Sequence, residues 1–212
     1  MTKIILASAS PRRAELLRQI GLDFEVQVSG VSEEGVVDKD PAKLVEKLAI
    51  AKALAVAKNQ PRREAVVIAA DTVVCVDGTL LGKPKDSREA GEMLRLLSGR
   101  SHQVLTGIAV VALPVMKVLS QVEKTEVFMR RLSAAEIDWY LTSGEPYDKA
   151  GGYGIQGKAA VFVEKIEGCY FNVVGLPLAA LWRLLNKLKK EHMGKGAGEY
   201  DTAPDHQGSA TH

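Results

Sequence analysis

The chain has 212 residues, of which 46% are hydrophobic and 25% charged, and its formal net charge at pH 7 is only +2. Such values are typical of a soluble globular protein with one large domain or two small lobes, and they argue against a strongly basic nucleic-acid binder. Two cysteines are too few for a disulfide framework, and no apolar run approaches the roughly 20 residues that cross a bilayer. Without a recognisable signal peptide, the chain is expected to be cytoplasmic, with no membrane or nucleic-acid partner.

The N-terminal stretch predicts a strand, a turn and a helix. Residues 3–7 form an apolar run typical of a strand. Ser10 is a favourable N-cap, Pro11 suits the first helical position, and Gly21 is a natural stop. A second strand is predicted over Phe24–Val28, before a polar and acidic loop.

The start of this helix combines positive charge with hydroxyl groups. Arg12 and Arg13 lie in its first turn, and Ser8 and Ser10 immediately precede it. Arginines and hydroxyls at a helix N-terminus, with its free backbone N–H groups, would form a phosphate cradle. The alternative is a solvated basic turn, but positive charge there opposes the helix dipole, so an anionic partner explains it better.

The next helix is predicted from Pro41 to about Lys58, and it places one lysine in an unusual position. Its apolar residues form a single arc, and Lys52 falls near the middle of that arc. A lysine on a core-facing arc extends its ammonium to the surface, pairs with a carboxylate or binds an anion. The sequence leaves these possibilities open, so Lys52 is a candidate cleft residue.

The central stretch, residues 66–84, contains a carboxylate in an apolar strand. Val66–Ala70 predicts a buried strand, Asp71 and Thr72 are expected to interrupt it, and the strand resumes at Val73. An ionised carboxylate in such a place is costly unless it is paired, hydrogen-bonded or bound to metal. Asp71 is therefore either a structural cap, or a metal ligand or general base on a rigid element.

A hairpin and a lysine complete this stretch. Asp77-Gly78 between apolar arms is a strong two-residue turn signal. The second arm ends at Gly82-Lys83-Pro84, which adds Lys83 to the candidate basic residues.

The remaining elements follow from capping residues, periodicity and turn signals. First comes a helix opened by Asp86 and ended by Gly99, followed by strands over 102–113, 115–122 and 124–129. Next is a helix opened by the capping box at Ser133 and running to about Thr142, and then a packed glycine-rich loop over 145–157. The last elements are strands over 160–166 and 170–174 and a helix over 177–190. Residues 1–190 are expected to be folded, and residues 191–212 to form a disordered tail.

Several separated motifs occur in one order along most of this chain. They are Ser8-Ala9-Ser10-Pro11-Arg12-Arg13, Ala70-Asp71-Thr72, Gly82-Lys83-Pro84, Leu97-Ser98-Gly99-Arg100, Asp148-Lys149-Ala150-Gly151 and Tyr153-Gly154-Ile155-Gln156-Gly157. Together they resemble the motifs of the Maf family, and the combination is similar to the branch that hydrolyses dTTP and UTP.

This resemblance implies a fold and an activity. The fold would be α/β, with a mixed, strongly bent sheet flanked by helices and two lobes around a central cleft, similar to inosine-triphosphatase-like proteins. The activity would be hydrolysis of a nucleoside triphosphate between the α- and β-phosphates, giving a monophosphate and pyrophosphate. Family members are also linked to inhibition of septum formation and to removal of non-standard nucleotides.

The resemblance also implies roles for individual residues. Asp71 matches the catalytic carboxylate, and positions tied to substrate choice are matched by Arg12, Thr72 and Gln156. The family's cleft residues are matched by Glu33, Lys52 and Lys83. Glu33 and Asp71 would bind Mg²⁺ or Mn²⁺, and the basic side chains, with Ser8 and Ser10, would hold the phosphates.

Two alternatives remain at this level. One is the same chemistry on another base, such as 7-methyl-GTP. The other is a non-catalytic regulator of cell division that binds nucleotide. Under all of these hypotheses, the expected partner is a small-molecule nucleoside triphosphate. A homodimer is also compatible with the sequence.

Overall fold

The computed structural model describes residues 2–32, 38–60 and 64–192. The strands within these ranges are β1 (Lys3–Leu6), β2 (Phe24–Val26), β3 (Ala65–Val76), β4 (Thr79–Leu81), β5 (Ser101–Leu113), β6 (Lys117–Met129) and β7 (Val163–Glu167). The α-helices are α1 (Pro11–Gln19), α2 (Pro41–Lys58), α3 (Ser87–Leu97), α4 (Ala134–Leu141), α5 (Tyr170–Val174) and α6 (Leu178–His192). Short 3₁₀ helices cover Glu145–Asp148, Ala150–Gly152 and Lys158–Phe162.

All seven of these strands belong to one mixed sheet with the order β2-β1-β3-β5-β6-β7, and β4 pairs with β3. Strand β1 is parallel to both β2 and β3, whereas the other pairs are antiparallel. The longest of these strands are β3, β5 and β6, with 12, 13 and 13 residues. The predicted α/β fold with a mixed sheet flanked by helices is confirmed.

Strand β3 has two short partners on the same edge. Strand β1 pairs with residues 65–68 of β3, and β4 pairs with residues 74–76. The other edge of β3 is occupied by β5 along nearly its whole length. Within the described ranges, residues 69–73 therefore have no strand neighbour on the β1 and β4 side, and both faces of the sheet can be reached from this opening.

Apolar cores fill both ends of the long strands. Near β1, even-numbered residues of β3 such as Ile68 pack with α1 and α6, and odd-numbered residues such as Val67 pack with α2. Near β4, the core joins β3 and β5 to α3 and α4, with Phe162 and Tyr140 fully buried. The opening in β3 thus lies between these cores.

Local sequence signals explain where several elements begin. Pro11 and Pro41 occupy the first turns of α1 and α2, and the Asp86 carboxylate caps α3 by accepting a hydrogen bond from the backbone N–H of Glu89. Ser133 opens α4 with the predicted capping box. These helix starts are confirmed.

The Asp77-Gly78 hairpin is confirmed as well. Both turn residues have positive φ, 47° and 78°, which matches the right-handed twist of the strands they join.

Four predictions were wrong. The strand predicted over 160–166 begins only at Val163, because Lys158–Phe162 forms a 3₁₀ helix. Asp71 and Thr72 do not interrupt β3, which is continuous over 12 residues because β5 pairs with residues 65–75, including both of these. The strands predicted over 115–122 and 124–129 are one strand, β6, because β5 pairs along its length. Residues 170–174 form helix α5 rather than a strand, with Gly175 ending it at a φ of 117°.

Among the described residues, no helix has the length and apolar character required to span a bilayer. Residues 191 and 192, expected to begin the tail, still belong to α6, and the rest of the predicted tail lies outside the described residues.

Candidate functional site

A cavity of about 540 Å³ opens at residues 69–73 of β3. Its lining includes every described residue predicted for the site: Ser8, Ser10, Arg12, Arg13, Lys52, Asp71, Thr72, Lys83 and Gln156. Glu33 lies outside the described residues. The volume falls in the range of about 300–1,000 Å³ that is usual for sites of small molecules.

The charge of the cavity is unbalanced. Among the residues that the structure describes, five basic side chains and two carboxylates line it, because Lys149 and Asp148 add to the predicted ones. A concave surface with excess positive charge concentrates anions and raises their association rate. The cavity is therefore suited to a polyanionic ligand.

Asp71 lies deep in this cavity and is paired with Lys52. The Lys52 ammonium is 2.5 Å from the carboxylate oxygen Oδ1, and the two side chains are 12% and 8% exposed. A strand holds the carboxylate and a helix holds the ammonium, so neither depends on a loop for its position. The pairing accounts for the charged residue in an apolar strand and for the lysine on the apolar arc of α2.

Gly107 allows α2 to approach closely enough for this pairing. It lies directly opposite Asp71 in the β3–β5 register. A Cβ atom at this position would be 2.3 Å from the carbonyl oxygen of Val45 on α2. Only glycine fits, because the obstacle is backbone that cannot turn aside.

Arg13 organises the wall on the opposite face of β3. Its Nε donates to the carbonyl oxygen of Gly175 at 2.9 Å, and its terminal nitrogens donate to Ser8 Oγ at 3.3 Å and to Thr72 Oγ1 at 3.1 Å. The guanidinium thereby joins the segment after β1, strand β3 and the end of α5. Ser10 is the N-cap residue of α1 by backbone conformation, but its side chain makes no cap hydrogen bond.

Arg12 reaches across the mouth of the cavity to the glycine-rich segment. One of its nitrogens donates to Asp148 Oδ2 at 2.7 Å, and Lys149 donates to the other oxygen of the same carboxylate at 2.5 Å. Burial opposes ionisation of Asp148, but the hydrogen bonds from Lys149 and Arg12 outweigh it and hold the pKa of this carboxyl below its usual range. The contact connects α1 to the segment that carries Gln156.

The glycine-rich segment is anchored in the core behind the cavity, as the prediction of a packed loop required. Tyr153 and His102 are 5% and 1% exposed, and the Tyr153 hydroxyl lies 2.6 Å from His102 Nε2. Burial lowers the pKa of His102 to about 4 and raises that of the Tyr153 hydroxyl. The histidine is therefore neutral at physiological pH, and it does not line the cavity.

The chemistry of the site fits a divalent cation that arrives with its substrate. Asp71 supplies a buried carboxylate facing a polar cavity, and Mg²⁺ is commonly held by one or two carboxylates together with substrate phosphate oxygens. Within the described part of the chain, no group of three or more histidine, cysteine or acidic residues could hold a metal by itself.

Sequence reasoning missed residues that lie one layer behind the cavity. Thr106 and Gly107 lie inside an apolar strand, and nothing local distinguishes Thr106 there. An interior strand glycine is a known sign of close backbone approach, so Gly107 could have been found. Asp148 was recognised only as part of a motif, not as the partner of Arg12.

Comparison with known proteins identifies the family. The model of the family described as Maf-like protein matches residues 3–188. The chain belongs to the Maf family. The predicted resemblance is confirmed, because this match covers nearly all of the described part of the chain.

Curated relatives of this Maf family member carry a consistent name. Proteins named dTTP/UTP pyrophosphatase are 51% identical in Dictyoglomus thermophilum, over 88% of this chain and 96% of the relative, and 53% identical in Carboxydothermus hydrogenoformans, over 87% and 98%. The protein of that name from Symbiobacterium thermophilum is 51% identical over 93% of this chain and 100% of its own length.

A solved structure shares the fold at low sequence identity. The Ham1 protein of Staphylococcus aureus superposes with a TM-score of 0.52 and 18% identity, covering 88% of this chain and 100% of that one.

Proposed function

We propose that this protein hydrolyses nucleoside triphosphates, with dTTP and UTP favoured, between the α- and β-phosphates to a monophosphate and pyrophosphate. The single observation that carries the proposal is the buried Asp71 carboxylate in a cavity with five basic side chains. The shared name of the curated relatives, dTTP/UTP pyrophosphatase, supports the choice of substrate and enzyme class. In the cell, the enzyme would act on the nucleotide pool.

In the proposed reaction, water attacks the α-phosphorus. The new bond forms from the water oxygen, the bond from the α-phosphorus to the bridging oxygen breaks, and pyrophosphate leaves. Asp71 orients the attacking water and accepts its proton. Its fixed place on β3, beside Lys52, keeps the carboxylate aimed into the cavity.

The basic side chains would bind the phosphates and stabilise the developing charge. Arg12 and Arg13 lie at the start of α1, whereas Lys52 and Lys83 approach from α2 and the end of the β3–β4 hairpin. Negative charge grows on the leaving pyrophosphate, so cations placed beforehand lower the barrier. Ser8 and Ser10 would add hydroxyl contacts to the same phosphates.

Asp71, with Glu33 as the resemblance implies, would hold Mg²⁺ or Mn²⁺ together with phosphate oxygens. When bound, such a cation offsets phosphate charge and makes an attacking water more acidic. Thr72 and Gln156, both lining the cavity, would bind the polar edge of a pyrimidine. We further propose that residues 1–190 act as one catalytic domain of two lobes.

The test is turnover of a panel of triphosphates, including dTTP, UTP, CTP and 7-methyl-GTP, with and without Mg²⁺. We expect metal-dependent release of pyrophosphate, fastest with dTTP and UTP. In water labelled with ¹⁸O, the label should enter the monophosphate, because attack occurs at the α-phosphorus. Label in released phosphate or pyrophosphate, or nucleotide binding without turnover, would contradict the proposal.

A further inference from the structure

A chain of hydrogen bonds connects the cavity to the interior of the sheet. Arg13 donates to Thr72 Oγ1 at 3.1 Å, Thr72 Oγ1 and Thr106 Oγ1 are 2.9 Å apart, and Thr106 Oγ1 is 3.2 Å from the carbonyl oxygen of Asn172. Thr72 lines the cavity, whereas Thr106 and Asn172 are fully buried. Nothing in the proposed function assigns a role to Thr106.

The groups at its two ends fix the donor-to-acceptor direction of this hydrogen-bond chain. A guanidinium can only donate, and a backbone carbonyl can only accept. Each threonine hydroxyl has one proton. All three contacts are satisfied together in one arrangement only: Arg13 donates to Thr72, Thr72 donates to Thr106, and Thr106 donates to the carbonyl of Asn172.

Both ends of the chain are held in place by further hydrogen bonds. Arg13 also donates to the carbonyl of Gly175 at 2.9 Å. The side-chain amide of Asn172 donates to the carbonyl of Val104 and to Thr125 Oγ1, each at 2.9 Å. Neither end can reorient without breaking buried hydrogen bonds. Leaving a buried donor or acceptor unpaired costs more free energy than a typical hydrogen bond contributes to stability.

Thr72, which lines the cavity, therefore has its hydroxyl proton already used. What it has left to offer a ligand is a lone pair, so it can accept a hydrogen bond but not donate one. Uracil and thymine carry a proton on ring nitrogen N3, whereas the N3 of cytosine is itself an acceptor. An acceptor at this position can receive the N3–H hydrogen bond of uracil or thymine. With cytosine, its lone pair would face the lone pair of N3, and no hydrogen bond could form.

We propose that Thr106 is a positioning residue for base selection. By taking the proton of Thr72, it fixes that hydroxyl as an acceptor for the N3–H group of a uracil or thymine nucleotide. This inference rests on the proposed function, and it names how the same site rejects cytosine. Sites that pair polar atoms of their substrate discriminate strongly, because a mismatched polar atom is left buried and unpaired.

The experiment compares kcat/KM for UTP and CTP in the wild type, Thr106→Val and Thr106→Ser. Valine has nearly the same shape but cannot accept the proton, so Thr72 can turn its hydroxyl toward the cavity. We expect the UTP to CTP ratio to fall about tenfold, the equivalent of one hydrogen bond. Thr106→Ser keeps a hydroxyl at this position, so its UTP to CTP ratio should equal that of the wild type.

Ser98→Ala is the control. The Ser98 hydroxyl accepts a hydrogen bond from the backbone N–H of Leu132 at 2.7 Å, and among the residues that the structure describes it belongs neither to this hydrogen-bond chain nor to the cavity lining. Its loss should lower stability without changing the UTP to CTP ratio. An equal fall in ratio in this variant would overturn the inference, because the effect would then be general loosening of the core.

A probe of the wild type avoids any dependence on how Thr106→Val folds. UTP methylated on N3 lacks the proton that Thr72 would accept, so its kcat/KM should fall at least as far as that of CTP. Wild-type turnover of this analogue at the UTP rate would overturn the inference, as would an unchanged ratio in an active Thr106→Val enzyme. A wild type without turnover of any pyrimidine triphosphate would instead overturn the proposed function, and this inference with it.

Discussion

The ammonium of Lys52 lies 2.5 Å from a carboxylate oxygen of Asp71, and both side chains are almost fully buried. The two charges come from a helix and a strand that are brought together at Gly107. Since each of them is costly to bury alone, the pair is expected to matter both for folding and for the proposed chemistry.

Replacement of Asp71 by asparagine tests its catalytic role. Asp71→Asn keeps the shape of the side chain but removes its charge and its ability to accept a proton. We expect pyrophosphate release from dTTP and UTP to fall by about 10³-fold or more, while circular dichroism shows a folded protein. Asp77→Asn, in the exposed turn of the same hairpin, is the control and should retain full activity. An active Asp71→Asn enzyme would remove the proposed role.

A double-mutant cycle tests the energetics of the ion pair. Lys52→Met removes the cation from beside a buried carboxylate and should destabilise the protein by about 3 kcal/mol. Adding Asp71→Asn should recover part of this loss, because the uncompensated charge is then gone. The free energy of unfolding is measured in urea for the wild type, both single variants and the double variant. Strictly additive effects would show that the two side chains do not interact.

Gly107 should tolerate no side chain. Gly107→Ala places a Cβ atom 2.3 Å from backbone of α2, so the helix must move away from the sheet. We expect a loss of about 3 kcal/mol in unfolding free energy, together with reduced activity, because Lys52 moves with the helix. The matched control is Gly91→Ala on α3, where the nearest atom is the flexible end of Arg95 at 3.2 Å. This control should be neutral or stabilising, since alanine favours a helix; equal losses in both variants would contradict the packing argument.

Gln156→Ala should alter base preference more than rate. Gln156 is exposed on the glycine-rich segment and lines the cavity, so its amide is available to a ligand rather than to the core. We expect the ranking of nucleotides by kcat/KM to flatten, while kcat for the best substrate changes less. Gln19→Ala, on the exposed face of α1, serves as the control. An unchanged ranking in Gln156→Ala would show that the assignment is wrong.

His102 should make stability depend on pH between about 4 and 6.5. Burial lowers its pKa in the folded protein to about 4, from 6.5 when unfolded, so the unfolded chain binds a proton that the folded protein does not. The stabilisation from the neutral imidazole is complete above pH 6.5 and is lost as the pH falls toward 4, by about 3 kcal/mol in total.

The measurement is the free energy of unfolding at several pH values in the wild type and in His102→Gln. Glutamine can still hydrogen-bond to Tyr153 but does not titrate. Between pH 6.5 and 4 the variant should therefore lose about 3 kcal/mol less unfolding free energy than the wild type. Acidic residues titrate in both proteins, and the comparison removes their contribution. Identical pH profiles would contradict a buried neutral histidine.

The sequence by itself determined the elements whose signals are local. The Ser10-Pro11 helix start, the Ser133 capping box and the Asp77-Gly78 turn each depend on residues that are neighbours in the chain. The family motifs likewise indicated the cavity residues, and the described ones do line one cavity. Lys52 was already marked by its place on an apolar arc, since a charge there needs an explanation.

Only the tertiary structure decided what depends on distant residues. Strand β6 is continuous because β5 pairs along it, although Glu123 and Lys124 interrupt its apolar pattern. An apolar run such as 170–174 is equally consistent with a strand and a short helix, and its packing selects the helix. The positions of Thr106 and Gly107 behind Thr72 and Asp71 follow from the register of β5 on β3. In each of these two pairs the residues are more than thirty positions apart. The energy of the register comes from packing across the whole sheet, which no local stretch of sequence encodes.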